Sequence, residues 1–460
     1  MRLEGIILAA GSGSRMVELT RGRPKCLLTV GNQSLIWFAI NGLKQMGVKR
    51  IIVLVPEQHE ADIKQYCQKK FGLSKEIDLE FVAAPAEADR GTAESLLEIR
   101  DKIRGDFVVY SCDSIVDPKA LTALLNHYRL YDPMMTMLLA DNINYFQPKI
   151  APGRREKENY MRDVIAVEPI DKLELASSAE FSASKVVFLH SERLSRQNLK
   201  IRSKELALHP SLEVCSKFLD THIYIFRHQM LDFMLQNRDR AVLKSEMIPL
   251  LIAKQFSPPI DQIDEEDDIQ DIRGLQRLCD YESELKERLE NLNPKHATKE
   301  NYIRRTSSNT PITCHALSLR DLQAHRANTL STYLDCNRNA KALLHLVGLK
   351  NVNTIKNCVV GENTSVGEKT LMKNGSVGNN CKIGDKVKLI DCILMDNVEI
   401  ASNTNLTECI VATSSRIGSK CDLKQCIIGF NVPNGTKSSG EVLIKEGLID
   451  LSDPLISENE

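Results

Sequence analysis

The sequence predicts two domains in series, a Rossmann-type α/β domain followed by a triangular parallel β-helix, and three observations carry that expectation. Apolar strand-like runs alternate with helix-like stretches from residue 5 to about 256. A glycine loop directly follows the first of these runs. From Asn357 onward the chain repeats every 17 residues. At 460 residues the chain also exceeds what one core serves, since single cores stop growing at roughly 250–300 residues. Hydrophobic residues make up 42% and charged residues 26%, a globular composition. With 60 Lys plus Arg against 61 Asp plus Glu, bulk electrostatics does not favour holding a phosphate backbone, so no direct nucleic-acid partner is expected.

Taken in order, Gly5 to Ala10 reads as the first strand, and its five apolar residues, Ile6 to Ala10, are too few for a signal-peptide core. No run approaches the ~18 apolar residues of a membrane helix, so a cytosolic chain without membrane contact is expected. Thirteen cysteines without a Cys-x-x-Cys pair fit reduced thiols rather than a disulfide framework or a zinc site. Leu35, Ile36, Ala39, Ile40, Leu43 and Met46 recur at helical spacing and stop at Gly47, which predicts a crossover helix. Arg50–Pro56, Asp106–Cys112, Met134–Ala140 and Thr221–Arg227 read as further strands of a mostly parallel sheet. The polar stretch from Phe146 to Asn159, with Arg154, Arg155 and Lys157, reads as a mobile surface loop. Seven carboxylates in the eleven residues Asp261–Asp271 repel one another and mark a solvated linker. The expected divisions are 1–256 for the α/β domain, 257–311 for an acidic and polar linker, 312–339 for a connecting segment, 340–450 for the β-helix and 451–460 for a tail.

The repeat defines the second domain. Rows of 17 start at Asn357-Cys358, Asn374-Gly375, Asp391-Cys392, Glu408-Cys409 and Gln425-Cys426. Three aliphatic registers recur in them: Val360, Val377, Leu394, Val411 and Ile428; then Val366, Ile383, Ile400 and Ile417; then Met372, Leu389, Leu406 and Leu423. Their 6, 6, 5 spacing gives each turn three flat faces, each sending one aliphatic residue to the interior. Leu343, Leu349 and Ile355 hold the same registers one row earlier, which places the start of the β-helix near 340. Cys358, Cys392, Cys409 and Cys426 share one phase of the repeat and read as a packed ladder rather than a metal site. Similar β-helices occur in hexapeptide-repeat acyltransferases, which need a histidine base at a coil edge; residues 346–460 contain no histidine, so acyl transfer is not expected.

The strongest local motif is Leu8-Ala9-Ala10-Gly11-Ser12-Gly13-Ser14-Arg15-Met16, followed by Pro24-Lys25-Cys26-Leu27-Leu28. Glycines after a strand let backbone N–H groups approach phosphate oxygens. Met16 stands where a dinucleotide fingerprint needs glycine or alanine, and the Gly-Lys-Ser/Thr of a P-loop is absent. The constellation resembles the sugar-phosphate nucleotidyltransferases. In that family the loop and its arginine hold the nucleotide triphosphate, and a lysine from a Pro-Lys-Pro-Leu element meets the phosphates; Arg15 and Lys25 stand at the matching places. The resemblance assigns the two Mg²⁺-binding positions to Asp113 and Asp220 and a base-proximal turn to Gly91-Thr92-Ala93. The departures are as informative. Val167-Glu168-Pro169 lacks the lysine of the family's Glu-Lys-Pro element, His222 replaces a glycine, and Cys26 replaces the second proline. Gly11, Gly13, Arg15, Lys25, Gly91, Asp113 and Asp220 are therefore expected to line the remnant of a ligand pocket, with no catalytic residue, metal or cofactor. Residual binding of a nucleotide or sugar phosphate is left open.

Across nearly the whole chain the sequence further resembles the gamma-subunit family of translation initiation factor 2B. The carrying stretches are Gly13–Met16, Gly91–Leu96, Ser111–Asp113, Lys244–Pro249 with Lys254–Phe256, His345–Gly348, and the connection from Cys314-His315 to Asn337-Arg338. The resemblance implies a nucleotidyltransferase-like domain joined to a left-handed β-helix. It implies a cytosolic, non-catalytic subunit paired with an epsilon subunit and assembled with alpha, beta and delta subunits into a decamer. That assembly exchanges GDP for GTP on initiation factor 2, and its catalytic element is a helical-repeat domain at the C-terminus of epsilon. Only about eleven residues follow Ile449 here, so that domain is not expected. The competing expectation is an active sugar-phosphate nucleotidyltransferase, such as a mannose-1-phosphate guanylyltransferase.

Overall fold

The computed structural model of the chain describes residues 3–72, 76–84, 91–141, 150–154, 162–170, 181–190, 209, 211–256, 312–319, 324–355 and 357–443. The acidic run 261–271 lies outside them, as does most of the 146–159 stretch. Of that stretch Ile150–Arg154 is described, and it is docked rather than free. Ala151 is fully buried, and the Gly153 N–H donates to the Gln425 carbonyl in the β-helix at 2.7 Å.

Strands rich in Ile and Val build one large sheet in the first domain. In chain order they are β1 (Glu4–Leu8), β2 (Arg50–Pro56), β3 (Asp78–Ala84), β4 (Phe107–Ser111), β5 (Ser114–Val116), β6 (Met135–Asp141), β7 (Val164–Pro169), β8 (Phe181–His190), β9 (Glu213–Cys215), β10 (Phe218–Phe226), β11 (Cys314–Leu319) and β12 (Ala324–Arg326). Ten of them form a sheet in the order β9-β7-β8-β11-β6-β10-β4-β1-β2-β3, while β5 and β12 pair separately. The mostly parallel sheet expected from the sequence needs correcting. Pairs β1/β2, β1/β4, β2/β3 and β6/β11 are parallel, and the other five are antiparallel. The crossover helices that betray parallel strands lie in the first half of the domain, and the later strands carry no such signal. Strand β11 inserts between β6 and β8, so the segment after the linker completes the first domain's sheet.

Helices cover both sheet faces. Ile36, Ala39, Ile40 and Leu43 of α1 (Leu35–Gln45) pack on one face with Leu121, Leu124 and Tyr128 of α2 (Pro118–Tyr131). Leu96, Met230, Met234, Leu251 and Ile252 close the other.

The β-helix starts later than its periodicity suggests. Ala340–Leu346 is a helix, α4, preceded by α3 (Leu330–Arg338), and the first coil strand begins at Thr354. Leu343 and Leu349 share the six-residue step by coincidence; Ala340-Lys-Ala-Leu-Leu-His-Leu is made of strong helix formers without a β-branched residue. From there the repeat holds. Strands pair in parallel at a shift of 17, as in Lys373 to Ile390 and Ile390 to Thr407. Left-handed corners fall at Asn363, Lys369, Asn374, Asn380, Lys386, Asp391, Asn397, Asn403, Glu408, Ser414, Lys420 and Gln425, stepping by six, five and six. The three aliphatic columns fill the interior. On one outer face Val359, Ile393, Ile410 and Ile427 point outward yet are buried, because α3, α4 and the first domain cover them.

Candidate functional site

The candidate residues converge where the parallel strands end, the edge at which open α/β sheets bind ligands. Strand β1 runs into the glycine loop. Gly11 and Arg15 are exposed there, and Gly13 takes φ +73°, a conformation that favours glycine. The Thr20 hydroxyl donates to the Gly13 and Met16 carbonyls and ties the loop to the turn behind it. Next to β1, β4 ends just before Asp113. Antiparallel beside β4, β10 carries Asp220 near its start, at the same edge.

Both aspartates are buried, and protein groups already occupy them. The Lys25 ammonium donates to Asp113 Oδ2 at 2.7 Å and to Asn328 Oδ1 at 2.7 Å. Arg326 Nη2 lies 3.3 and 3.2 Å from Asp113 Oδ1 and Oδ2, and the Ser111 hydroxyl donates to Oδ1 at 2.7 Å. Burial opposes the charge of Asp113, but the Arg326 and Lys25 cations outweigh it and hold the carboxyl well below the usual carboxylate range. Asp220 accepts from the Tyr224 hydroxyl at 2.6 Å and the His222 N–H at 2.9 Å. Lys244 Nζ sits 2.7 Å from Asp163 Oδ2 and 3.7 Å from Asp220 Oδ2.

Local backbone explains these placements. Strand β12 pairs antiparallel with β5, setting Arg326 opposite Ser114, and the Ala327 N–H donates to the Asp113 carbonyl at 2.9 Å. Gly91 lets the backbone near Ala241 approach: a Cβ there would stand 2.0 Å from the Ala241 oxygen. The Ala93 N–H donates to that oxygen, and the Leu243 N–H donates to the Thr92 hydroxyl, which fixes the turn carrying Lys244. His222 has φ +53° at the break in register between β10 and β6, so the backbone keeps a glycine-like conformation under a bulky side chain. Burial, with Arg326 and Lys244 nearby, pushes its imidazole pKa well below the usual value and keeps it neutral. Glu168, from the altered Glu-Lys-Pro element, meets His209 Nδ1 at 2.6 Å.

Sequence reasoning missed Arg326, Asn328, Ser111, Asp163, Tyr224 and the role of Lys244. Arg326 stands 213 positions from Asp113 and across the linker, where no local pattern announces it. The cysteine column is buried in the β-helix, with Sγ donating to backbone carbonyls, as from Cys426 to Lys424 at 3.1 Å; burial pushes the Cys358 thiol up to about 11. Among the described residues no three His, Cys, Asp or Glu side chains are grouped as metal ligands. Asp113 and Asp220 do not fit the Mg²⁺ that the nucleotidyltransferase resemblance assigns them, because ammonium, guanidinium, hydroxyl and amide donors already hold their oxygens.

Two family models match separate parts of the chain. Residues 4–142 match the nucleotidyl transferase family model, and residues 345–439 match that of the EIF2B subunit epsilon LbH domain. The chain is 31% identical over 263 residues to translation initiation factor eIF2B subunit gamma of Caenorhabditis elegans, covering 56% of this chain and 60% of the relative. It is 25% identical over 372 residues to the Schizosaccharomyces pombe subunit of the same name, covering 80% and 72%. The chain is similar to eIF2B gamma subunits from both organisms. It spans less than two thirds of the length of the nematode relative. The bifunctional IPC transferase and DIPP synthase of Aquifex aeolicus matches the chain over 113 residues, 24% of the chain and 25% of the enzyme, at 31% identity. Among the described residues no helix is long and apolar enough to cross a membrane.

Proposed function

We propose that the chain is a non-catalytic subunit of the cytosolic initiation factor 2B assembly, which exchanges GDP for GTP on initiation factor 2. In this reading it pairs with an epsilon subunit, joins alpha, beta and delta subunits, and stimulates the catalytic subunit while helping to bind the substrate factor. One observation carries the non-catalytic part: Lys25, matched by resemblance to a phosphate-binding lysine, donates instead to Asp113 and Asn328 at 2.7 Å each. A transferase needs positive charge aimed at the transferring phosphoryl group, and here that charge is spent inside the protein. Gly11, Gly13, Arg15, Lys25, Gly91, Asp113 and Asp220 then form a pocket remnant with a structural role.

The test is gentle purification of the tagged chain from its own cells. Co-elution with epsilon-like and other subunits in a fraction that releases GDP from initiation factor 2 is the expected result. Elution alone, with turnover of a sugar phosphate and a nucleoside triphosphate, overturns the proposal.

A further inference from the structure

We propose that Arg326 is the pocket's resident cation, standing where a divalent metal would engage Asp113, and that it closes the site to divalent metals. This goes beyond the exchange-factor reading, since a non-catalytic subunit could equally retain a metal.

Three observations converge. The first is occupancy. A carboxylate offers about four acceptor directions, and Asp113 already receives Lys25, Ser111 and Arg326 across both oxygens. Mg²⁺ would need oxygen ligands at roughly 2.1 Å in near-octahedral geometry, and the same lone pairs cannot serve both.

The second is charge. Lys25, Arg326 and Lys244 face Asp113, Asp163 and Asp220, three cations against three carboxylates, so the cluster is neutral as it stands. A divalent ion would add two uncompensated charges to groups largely withdrawn from water, where an unpaired charge is strongly disfavoured.

The third is delivery. Arg326 is no mobile surface side chain. Its strand pairs with β5 immediately after Asp113. Thr329, three residues on, caps α3, which packs against the β-helix. Arginine does not deprotonate to make way for a metal. Removing it would leave the cluster one negative charge in excess beside a vacated volume, and that creates a divalent-cation site.

The experiment titrates the full-length chain with Mn²⁺ at neutral pH and follows free Mn²⁺ by electron paramagnetic resonance. It compares wild type, Asp113→Asn, Arg326→Lys, Arg326→Ser, and Arg326→Ser combined with Asp113→Asn. Wild type and Arg326→Lys are expected to show no site that depends on Asp113. Arg326→Ser should gain one, with an affinity roughly tenfold or more above the parent's background, and lose it in the double variant. Mn²⁺ binding by wild type that Asp113→Asn abolishes overturns the proposal, as does a folded Arg326→Ser that binds no better than the parent. Where Arg326→Ser fails to fold, Arg326→Gln serves as the charge-removing variant, and the wild-type comparison decides alone if both fail. None of these outcomes bears on co-elution with other subunits, so the two proposals fail separately.

Discussion

Two triads of the same chemistry sit in the two domains. In the pocket, Lys25 and Arg326 flank Asp113; on the solvent face of the β-helix, Lys382 and Arg416 flank Glu399 at 3.0 Å each. The second is a product of the repeat, its members one coil apart and open to water. The first joins residues 88 and 213 positions apart and is shut away from solvent. An ion pair's contribution follows from its surroundings more than its geometry. Water screens an exposed pair, whereas a buried partner left alone keeps its full desolvation penalty.

The largest expected effect comes from breaking the buried triad. Asp113→Ala strands two cations and should cost about 3–5 kcal/mol, seen as a lower urea midpoint with an unchanged slope. A loss under about 1 kcal/mol would put the two triads on a par.

A second buried polar cluster sharpens the comparison without touching the pocket. His127 Nε2 and His315 Nδ1 lie 3.1 Å apart, beside Tyr131 and Lys185, and burial lowers both imidazoles to about 4. In the unfolded chain they protonate near 6.5. Between pH 6.5 and 4 the unfolded state therefore binds protons that the folded state refuses. Stability should fall as pH drops through that window, on the order of 1 kcal/mol per pH unit per histidine, and level off below it. Denaturation midpoints at pH 7, 6 and 5 measure the slope, and His127→Gln should reduce it.

His222→Gly is smaller. It relieves a left-handed non-glycine backbone worth roughly 1 kcal/mol, so stability should hold or rise slightly despite the lost side chain; a marked fall would show that His222 supports the pocket. Smallest of all is Glu399→Ala, for which no shift in midpoint is expected at any salt concentration. A measurable loss there would mean that the exposed ladder contributes as the buried triad does.

The contrast also separates what the sequence discloses from what it conceals. The coil period, the three aliphatic columns and their 6, 6, 5 step are local, so they can be read directly along the chain. Asp113 and Asp220 are legible as a pair only through the nucleotidyltransferase resemblance, which places them beside strands that apolar runs make visible. Arg326 is not, since its position follows from β12 pairing with β5 across the linker. The outward isoleucines 393, 410 and 427 carry a signal of their own: an aliphatic residue beside each inward register predicts a covered face. Near residue 340, a helix of strong formers mimics one row of the repeat because Leu343, Leu349 and Ile355 happen to keep its six-residue step.

Strand β11 bears on how the chain is made. Synthesis runs from the N-terminus, and Cys314–Leu319 emerges only after the whole linker, yet it fills the gap between β6 and β8. Until then the nascent first domain has a missing middle strand and two open edges, and Asp113 awaits Arg326. A fragment that stops before Cys314 lacks part of its own sheet, so the linker is an insertion within the first domain and no safe place to cut.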